Sequence, residues 1–397
     1  MRMSPLMHKV ALLKLMFVMA NGVGSFAALF MSRHFGLADA ELATTVALMI
    51  ACYLGGNLLG GQLPGRMSSR VLLLVCSGSA LLALLASLVL VWPSLAIVAV
   101  LLFMFSAGAV TPLFSVMTAQ AASPDDQVGA FAYLHLASNA GGVLLFMAGS
   151  LLLSWQSQYL LWFTATISLA CLLVSAFLEL PEPARAAHVR ALPKGGGQDG
   201  SIPLLVMLAG AMFFVLSLLD GQREYQFPLW LGTLGIGDAA RLFGVAGIVN
   251  GLLVIVLTRP LISLTRRWGA LSNLAMAAIC YGIGFGAHAF VQGWLAILLL
   301  VAIWTLGEII GITYMATLIA QCAPTSRQGL LFSLIPVVQA GARVLCVAVA
   351  VPMLDRLGFS VTWAVFGGAG VFFGLICLLL SRGRRSVDIP SAAVGHR

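Results

Sequence analysis

The chain has 397 residues, of which 61% are hydrophobic and only 9% charged, with a formal net charge of +8. A water-soluble domain carries roughly 25% charged residues, so composition excludes a soluble globular fold. The apolar segments are continuous, not alternating, which excludes a membrane β-barrel and leaves an all-α integral membrane protein.

A helix needs about 20 apolar residues to cross a hydrocarbon layer ~30 Å thick. Taken in chain order, twelve transmembrane helices are predicted near 12–32, 43–63, 71–91, 95–118, 129–153, 159–178, 204–231, 242–261, 271–291, 294–318, 329–351 and 361–380. With the N-terminus in the cytoplasm, the inner segments hold 16 of the 21 Lys and Arg, among them Arg2, Lys9, Lys14, Arg66, Arg70, Arg266 and Arg267. The outer loops hold only Arg33, Arg241 and Arg356. That asymmetry is the positive-inside rule, so the net charge reports topology, not a nucleic-acid partner. Both termini are expected in the cytoplasm of a bacterial-type inner membrane. The seven cysteines are scattered without metal-ligand spacing, and neither a metal nor a cofactor is expected. The first apolar segment lacks a clear small-residue cleavage site, and it is expected to be retained as a span.

The one long polar stretch, PEPARAAHVRALPKGGGQDGS over 181–201, reads as a flexible linker. The expected organisation is an N-terminal six-helix bundle over 1–180, a cytoplasmic linker over 181–202, a C-terminal six-helix bundle over 203–381 and a cytoplasmic tail over 382–397. A shift of 200 residues lays one half over the other. Residues 123–146 meet 323–346 without a gap, pairing Pro124 with Pro324, Gly129 with Gly329 and Gly141 with Gly341.

Two parallel-related six-helix halves with a site near the midplane form a transporter layout, and here the chain resembles the major facilitator superfamily. The loop after the second span, Gly61–Gln62–Leu63–Pro64–Gly65–Arg66–Met67–Ser68–Ser69–Arg70, resembles that family's loop motif, with Gly65 in place of Asp and Ser68 in place of Gly. The repeat copy keeps Arg266 and Arg267. The resemblance implies that Gly61, Arg66, Arg70, Arg266 and Arg267 belong to a conformational latch. Gly307–Glu308 in span ten, Ala323–Pro324 through Gly329 after it, and Gln226 through Leu231 at the end of span seven look like the twelve-helix drug:proton antiporter branch. The fifth-span antiporter signature is not intact, because Ser138–Asn139–Ala140–Gly141–Gly142 lacks a Pro after Gly.

A charge at the bilayer centre costs at least ~2.5–3.5 kcal/mol, which makes each one a functional-site hypothesis. The C-terminal half has five: Asp220, Arg223, Glu224, Glu308 and Arg343. The spacing of Asp220, Arg223 and Glu224 predicts one face of one helix. Three acids against two arginines leave one carboxylate that can exchange a proton or meet a cationic substrate. Glu308 is the first candidate for proton coupling, followed by Asp220 and Glu224; the alternative is a structural ion-pair network. Substrate contacts are expected from Asp220, Arg223, Glu224, Tyr225, Trp304, Glu308 and Arg343, with Trp304 one turn before Glu308. The opposite wall is expected from Asn21, Tyr53, Asn57, Thr111, His135 and Asn139. Trp230 is expected as an interface anchor.

No phosphate-binding Walker loop, G-x-S-x-G or H-E-x-x-H occurs, so neither an ATP-driven cycle nor an enzyme is expected. The resemblance implies a monomeric secondary transporter that moves a small molecule across the lipid bilayer by alternating access. Three readings are weighed: proton-coupled export (antiport) of drugs or a secreted metabolite such as a siderophore; import or facilitated passage of a small polar metabolite; and a non-transport role as sensor, lipid-handling protein or enzyme.

Overall fold

The computed structural model describes residues 4–63, 67–121, 127–177, 204–322 and 325–382. Every element in them is helical. The linker expected over 181–202 and the tail beyond residue 382 lie outside the described residues.

The first span is built from three pieces. Ser4 caps α1 (Pro5–Met19), its hydroxyl accepting from the Met7 amide at 3.1 Å, and Pro5 supplies a first helical residue that needs no donor. The helix breaks at Asn21, runs as α2 (Gly22–Ser25), breaks again at Phe26 and continues as α3 (Ala27–Phe35). Gly36, at φ 70°, closes α3 in the left-handed conformation that glycine tolerates. Then come α4 (Asp39–Gln62), α5 (Ser69–Val89), α6 (Pro93–Ala121), α7 (Gln127–Trp155) and α8 (Ser157–Phe177). Ser68, the departure from the family motif, caps α5 through the Val71 amide at 3.3 Å.

The second half begins with α9 (Leu204–Asp220), a 3-10 turn (Gly221–Arg223) and α10 (Gln226–Thr233), followed by α11 (Ala239–Thr265) and α12 (Ala270–Gly286). It ends with α13 (Trp294–Cys322) and α14 (Thr325–Arg382). Ten stretches of the described residues are long and apolar enough to cross a membrane. One of them, Leu334–Leu379, has 46 residues, about 69 Å if straight, which is twice what a ~30 Å core requires. It turns at Gly358, where φ is 72° and ψ 177°. With that stretch as two crossings and Pro5–Phe35 as one, the helices accommodate twelve spans.

Packing divides the chain into two compact units. The first takes the described residues of Met1–Gly197 with Gly221–Ile255 and Arg343–Pro352; the second takes those of Gln198–Asp220, Val256–Ala342 and Met353–Arg397. In the first unit α6 packs on α4 and α5, α1 on α7, and α5 on α8. The α4–α6 crossing is made by bare backbone: a Cβ on Gly60 would stand 2.1 Å from the Ala109 carbonyl oxygen, and one on Gly108 2.0 Å from that of Tyr53. Gly244, Gly247 and Gly251 of α11 lie against the side chains of Ser150, Phe146 and Val143 of α7, which a Cβ would meet at 2.1, 2.4 and 2.7 Å. In the second unit α12 packs on α13 and α9. There a Cβ on Gly286 would reach 2.6 Å from the Gly367 Cα. Small residues at such crossings let helices approach closely enough for dispersion to hold them in lipid.

Candidate functional site

The first unit contains a cavity of about 100 Å³. Asn21 lines it just past the end of α1, which stops two residues earlier at Met19; at φ −92° and ψ 30° Asn21 is the non-helical joint of the first span. Its Oδ1 is buried without a hydrogen-bond partner among the described residues. Tyr53 and Thr111 line the same cavity and join α4 to α6 through a hydroxyl–hydroxyl bond of 2.8 Å. Phe17, Phe103 and Phe114 supply apolar walls, and Ser25, Ser77 and Ser168 add hydroxyls.

Beside it lies an ion pair. Arg343 Nη1 donates to Glu224 Oε1 at 2.7 Å, with the two side chains 23% and 32% exposed, and both charges act on the Tyr53 hydroxyl. A cation, a carboxylate and a phenol therefore share one electrostatic neighbourhood. The expectation that Asp220, Arg223 and Glu224 share one helical face is corrected. The helix ends at Asp220, the 3-10 turn follows, and Tyr225 sits at φ −120° and ψ −64° before α10 starts. The i, i+3, i+4 rule needs an unbroken α-helix, and this span is broken where its charges lie. The break is fitted closely, since a Cβ on Gly221 would meet Cys346 Cβ at 2.8 Å and Arg343 Cα at 3.1 Å. Tyr225 is buried, and its hydroxyl donates to the Asp39 carbonyl at 3.5 Å.

In the second unit Asp220 is 6% exposed and accepts from the Tyr281 hydroxyl at 3.5 Å. Glu308 is half-buried on α13. Trp304, one turn before it, is 1% exposed and stacks on Phe285 at 5.3 Å. Phe285 also stacks on Tyr281 and Trp363, so the rings fill the interior around α12.

Other predicted residues fall elsewhere. Asn57 is half-buried outside the cavity lining, and His135 is exposed, its carbonyl accepting from the Asn139 amide at 3.0 Å. Trp230, expected as an interface anchor, is buried against Phe227. Among the expected latch residues Gly61, Arg70, Arg266 and Arg267 are exposed, Arg70 donates to the Ala176 carbonyl, and Arg66 lies outside the described residues. Asn273 braces the second loop by donating to the carbonyls of Thr265, Trp268 and Gly269. Among the described residues no group of three or more His, Cys, Asp or Glu could hold a metal ion.

Three residues escaped the sequence reading. Lys14 lines the cavity, although its charge reads in sequence as a topology signal. Gln222, inside the turn that breaks the seventh span, and Gln226, the first residue of α10, are fully buried, with neither amide atom of either partnered among the described residues. Their signal was a cluster of polar residues interrupting an apolar run after Gly221.

Comparisons with known proteins agree with this architecture. An uncharacterized MFS-type transporter of Bacillus subtilis (strain 168), YhjO, is 24% identical over 208 residues, which cover 52% of this chain and 49% of that protein. Among solved structures, a mutant peptide transporter POT in complex with alafosfalin superposes with a TM-score of 0.78 at 14% identity, covering 95% of this chain and 94% of that one. A mutant of the nucleoside transporter NupG gives 0.75 at 14% identity, covering 94% and 99%. The sequence pattern of the Major Facilitator Superfamily matches residues 10–346, and the chain belongs to that superfamily: it is a multi-pass membrane transporter and not an enzyme.

Proposed function

We propose that this transporter moves a small polar or charged metabolite across a bacterial-type inner membrane, coupled to protons. The observation that carries the reading is the 2.7 Å Arg343–Glu224 pair beside the Tyr53–Thr111 bond. A buried ion pair adds little net stability, yet removing one partner is costly. Such a pair is well suited to exchange: once a solute occupies the neighbouring cavity the guanidinium turns away, and Glu224 is released to take up a proton. Asp220 and Glu308 are the further proton-carrying candidates. Both termini face the cytoplasm in this reading, as the distribution of Lys and Arg supports. The two six-helix halves of the sequence alternate access to the site, with the arginines after spans two and eight closing it.

Export of bulky amphiphiles favours a roomy apolar cavity with few charges. A cavity of about 100 Å³ that includes a lysine and hydroxyls supports a small polar solute instead. The peptide and nucleoside transporters of the same fold are consistent with that class.

The test uses the full chain in vesicles loaded with a pH-sensitive dye, challenged with dipeptides, nucleosides, amino acids and small organic acids. A solute should drive proton flux in the wild type and lose that flux in Glu224→Gln or Glu308→Gln. Solute entry without proton flux in any of the three proteins would make the chain a facilitator.

A further inference from the structure

Lys14 is the observation that the proposed function leaves unused. It is the tenth residue of α1, which places it roughly 14 Å along the helix axis at 1.5 Å per residue. The side chain faces inward, lining the cavity with Nζ 5.0 Å from the centre of the Phe114 ring. A ring face attracts a cation by only ~0.5–2 kcal/mol, and among the described residues no carboxylate forms an ion pair with Lys14. A cation withdrawn from water without a counter-charge is costly. The cavity thus presents one uncompensated positive charge.

Its remaining lining narrows what supplies the missing charge. Asn21 lies seven residues from Lys14 and has a buried, unpartnered Oδ1 that can accept from a donor. The rings of Phe17, Phe103 and Phe114 form an apolar wall. Glu224 and Arg343, which act on Tyr53, cancel each other. Lys14 together with the Arg343–Glu224 pair therefore carries a charge of +1: Lys14 and Arg343 positive, Glu224 negative.

We infer that Lys14 anchors the carboxylate of a small organic monoanion whose apolar body lies against the phenylalanines. This deepens the proposed function and rests on it for the transport step, although binding can be measured alone. A dianion would carry one charge too many for the lysine, and a cation would meet like charge. An amino acid or short peptide would place its carboxylate on Lys14 and need a partner for its ammonium, which the intact Arg343–Glu224 pair does not offer.

The chain has only three lysines, Lys9, Lys14 and Lys194, so the wild type reports on its own site. Purified full-length protein is acetylated with and without benzoate, 3-phenylpropionate or their neutral amides, and each lysine is followed by mass spectrometry. At least one acid should slow acetylation of Lys14 at least about fivefold and leave Lys9 unchanged, with no effect of the amides. Calorimetry should then show affinity for that acid falling at least about tenfold in Lys14→Gln, equivalent to ~1.4 kcal/mol, and staying within about threefold in Lys14→Arg. Equal protection by amide and acid, protection by neither acid, or unchanged affinity in Lys14→Gln each overturns the inference. Lys14-dependent binding without proton flux in vesicles would sink the coupling reading and leave the anchor standing. Proton-coupled transport with Lys14 unprotected would do the reverse.

Discussion

Around the cavity of the first unit stand Lys14, Asn21, Tyr53 and Thr111, while the interior of the second is filled by rings. Phe285 stacks on Tyr281, Trp304 and Trp363 at 5.9, 5.3 and 6.0 Å with interplanar angles of at most 10°. Both units hold their helices together by the same means, glycines pressed onto neighbouring backbone. Shared crossings with unlike fillings separate scaffold from specificity. Crossings fix where the helices run, and the side chains between them decide whether a unit offers space or rigidity. Stacked rings with few alternative rotamers suit a body that moves as one piece, and a hydroxyl-lined space suits a body that receives a solute.

The largest expected effects test the shared part. Gly60→Leu in the first unit and Gly282→Leu in the second each drive a side chain into backbone, with Cβ contacts of 2.1 Å to Ala109 O and 2.6 Å to Val371 N. Overpacking costs about 1–3 kcal/mol where neighbours can yield, and helix backbone yields least, so both variants should lose monodisperse protein on size exclusion. Gly78→Leu, where nothing stands within 4 Å, should behave as wild type. If only one unit failed, the crossings would not be equivalent scaffolds.

Much of this scaffold was legible in the sequence, because crossing a membrane demands long apolar runs and no other fold class satisfies 9% charge. Tyr53 and Thr111, two of the polar residues on apolar helices, are joined across two spans by a hydroxyl–hydroxyl bond. What was not legible depends on local breaks. Asp220, Arg223 and Glu224 look like one face until Gly221 ends the helix, and hydropathy averaged over a span does not register a turn of three residues. Lys14 was misread for a different reason. Near a span's end a lysine is ambiguous between anchoring in the headgroups and reaching inward, and the Phe114 ring that it lies over is 100 residues away in sequence. The spacing of Trp304 to Glu308 is visible in the sequence, but its stacking partner comes from another helix.

A middle-sized effect tests the site itself. Glu224→Gln removes the carboxylate that Arg343 holds at 2.7 Å. With both partners partly exposed, the loss should be about 1–3 kcal/mol, below the 3–5 kcal/mol of a fully buried pair, visible as a lower melting temperature in detergent. Transport should fall at least about tenfold. The exchanged pair Glu224→Arg with Arg343→Glu should recover stability more than transport, since a pair is restored with its two charges in exchanged places. Equal recovery of both would reduce the pair to a structural strut.

The smallest expected effects compare two tyrosines, one in each unit. Tyr53→Phe removes a 2.8 Å bond to Thr111, whose hydroxyl keeps a weaker contact with the Ala107 carbonyl at 3.4 Å. A hydrogen bond contributes about 0.5–1.5 kcal/mol net, so the melting temperature should fall by only a few degrees, with weaker solute binding because the phenol lines the cavity. Tyr281→Phe removes a bond to Asp220 of 3.5 Å, at the limit of useful geometry, and stability should change by less than about 0.5 kcal/mol. Binding should be untouched, because the ring remains in its stack with Phe285. A Tyr281→Phe defect larger than that of Tyr53→Phe, above all one that moves the pH dependence of transport, would mean that the 6%-exposed Asp220 depends on this one donor. Proton coupling would then sit in the ring-filled unit and solute binding in the unit with the cavity.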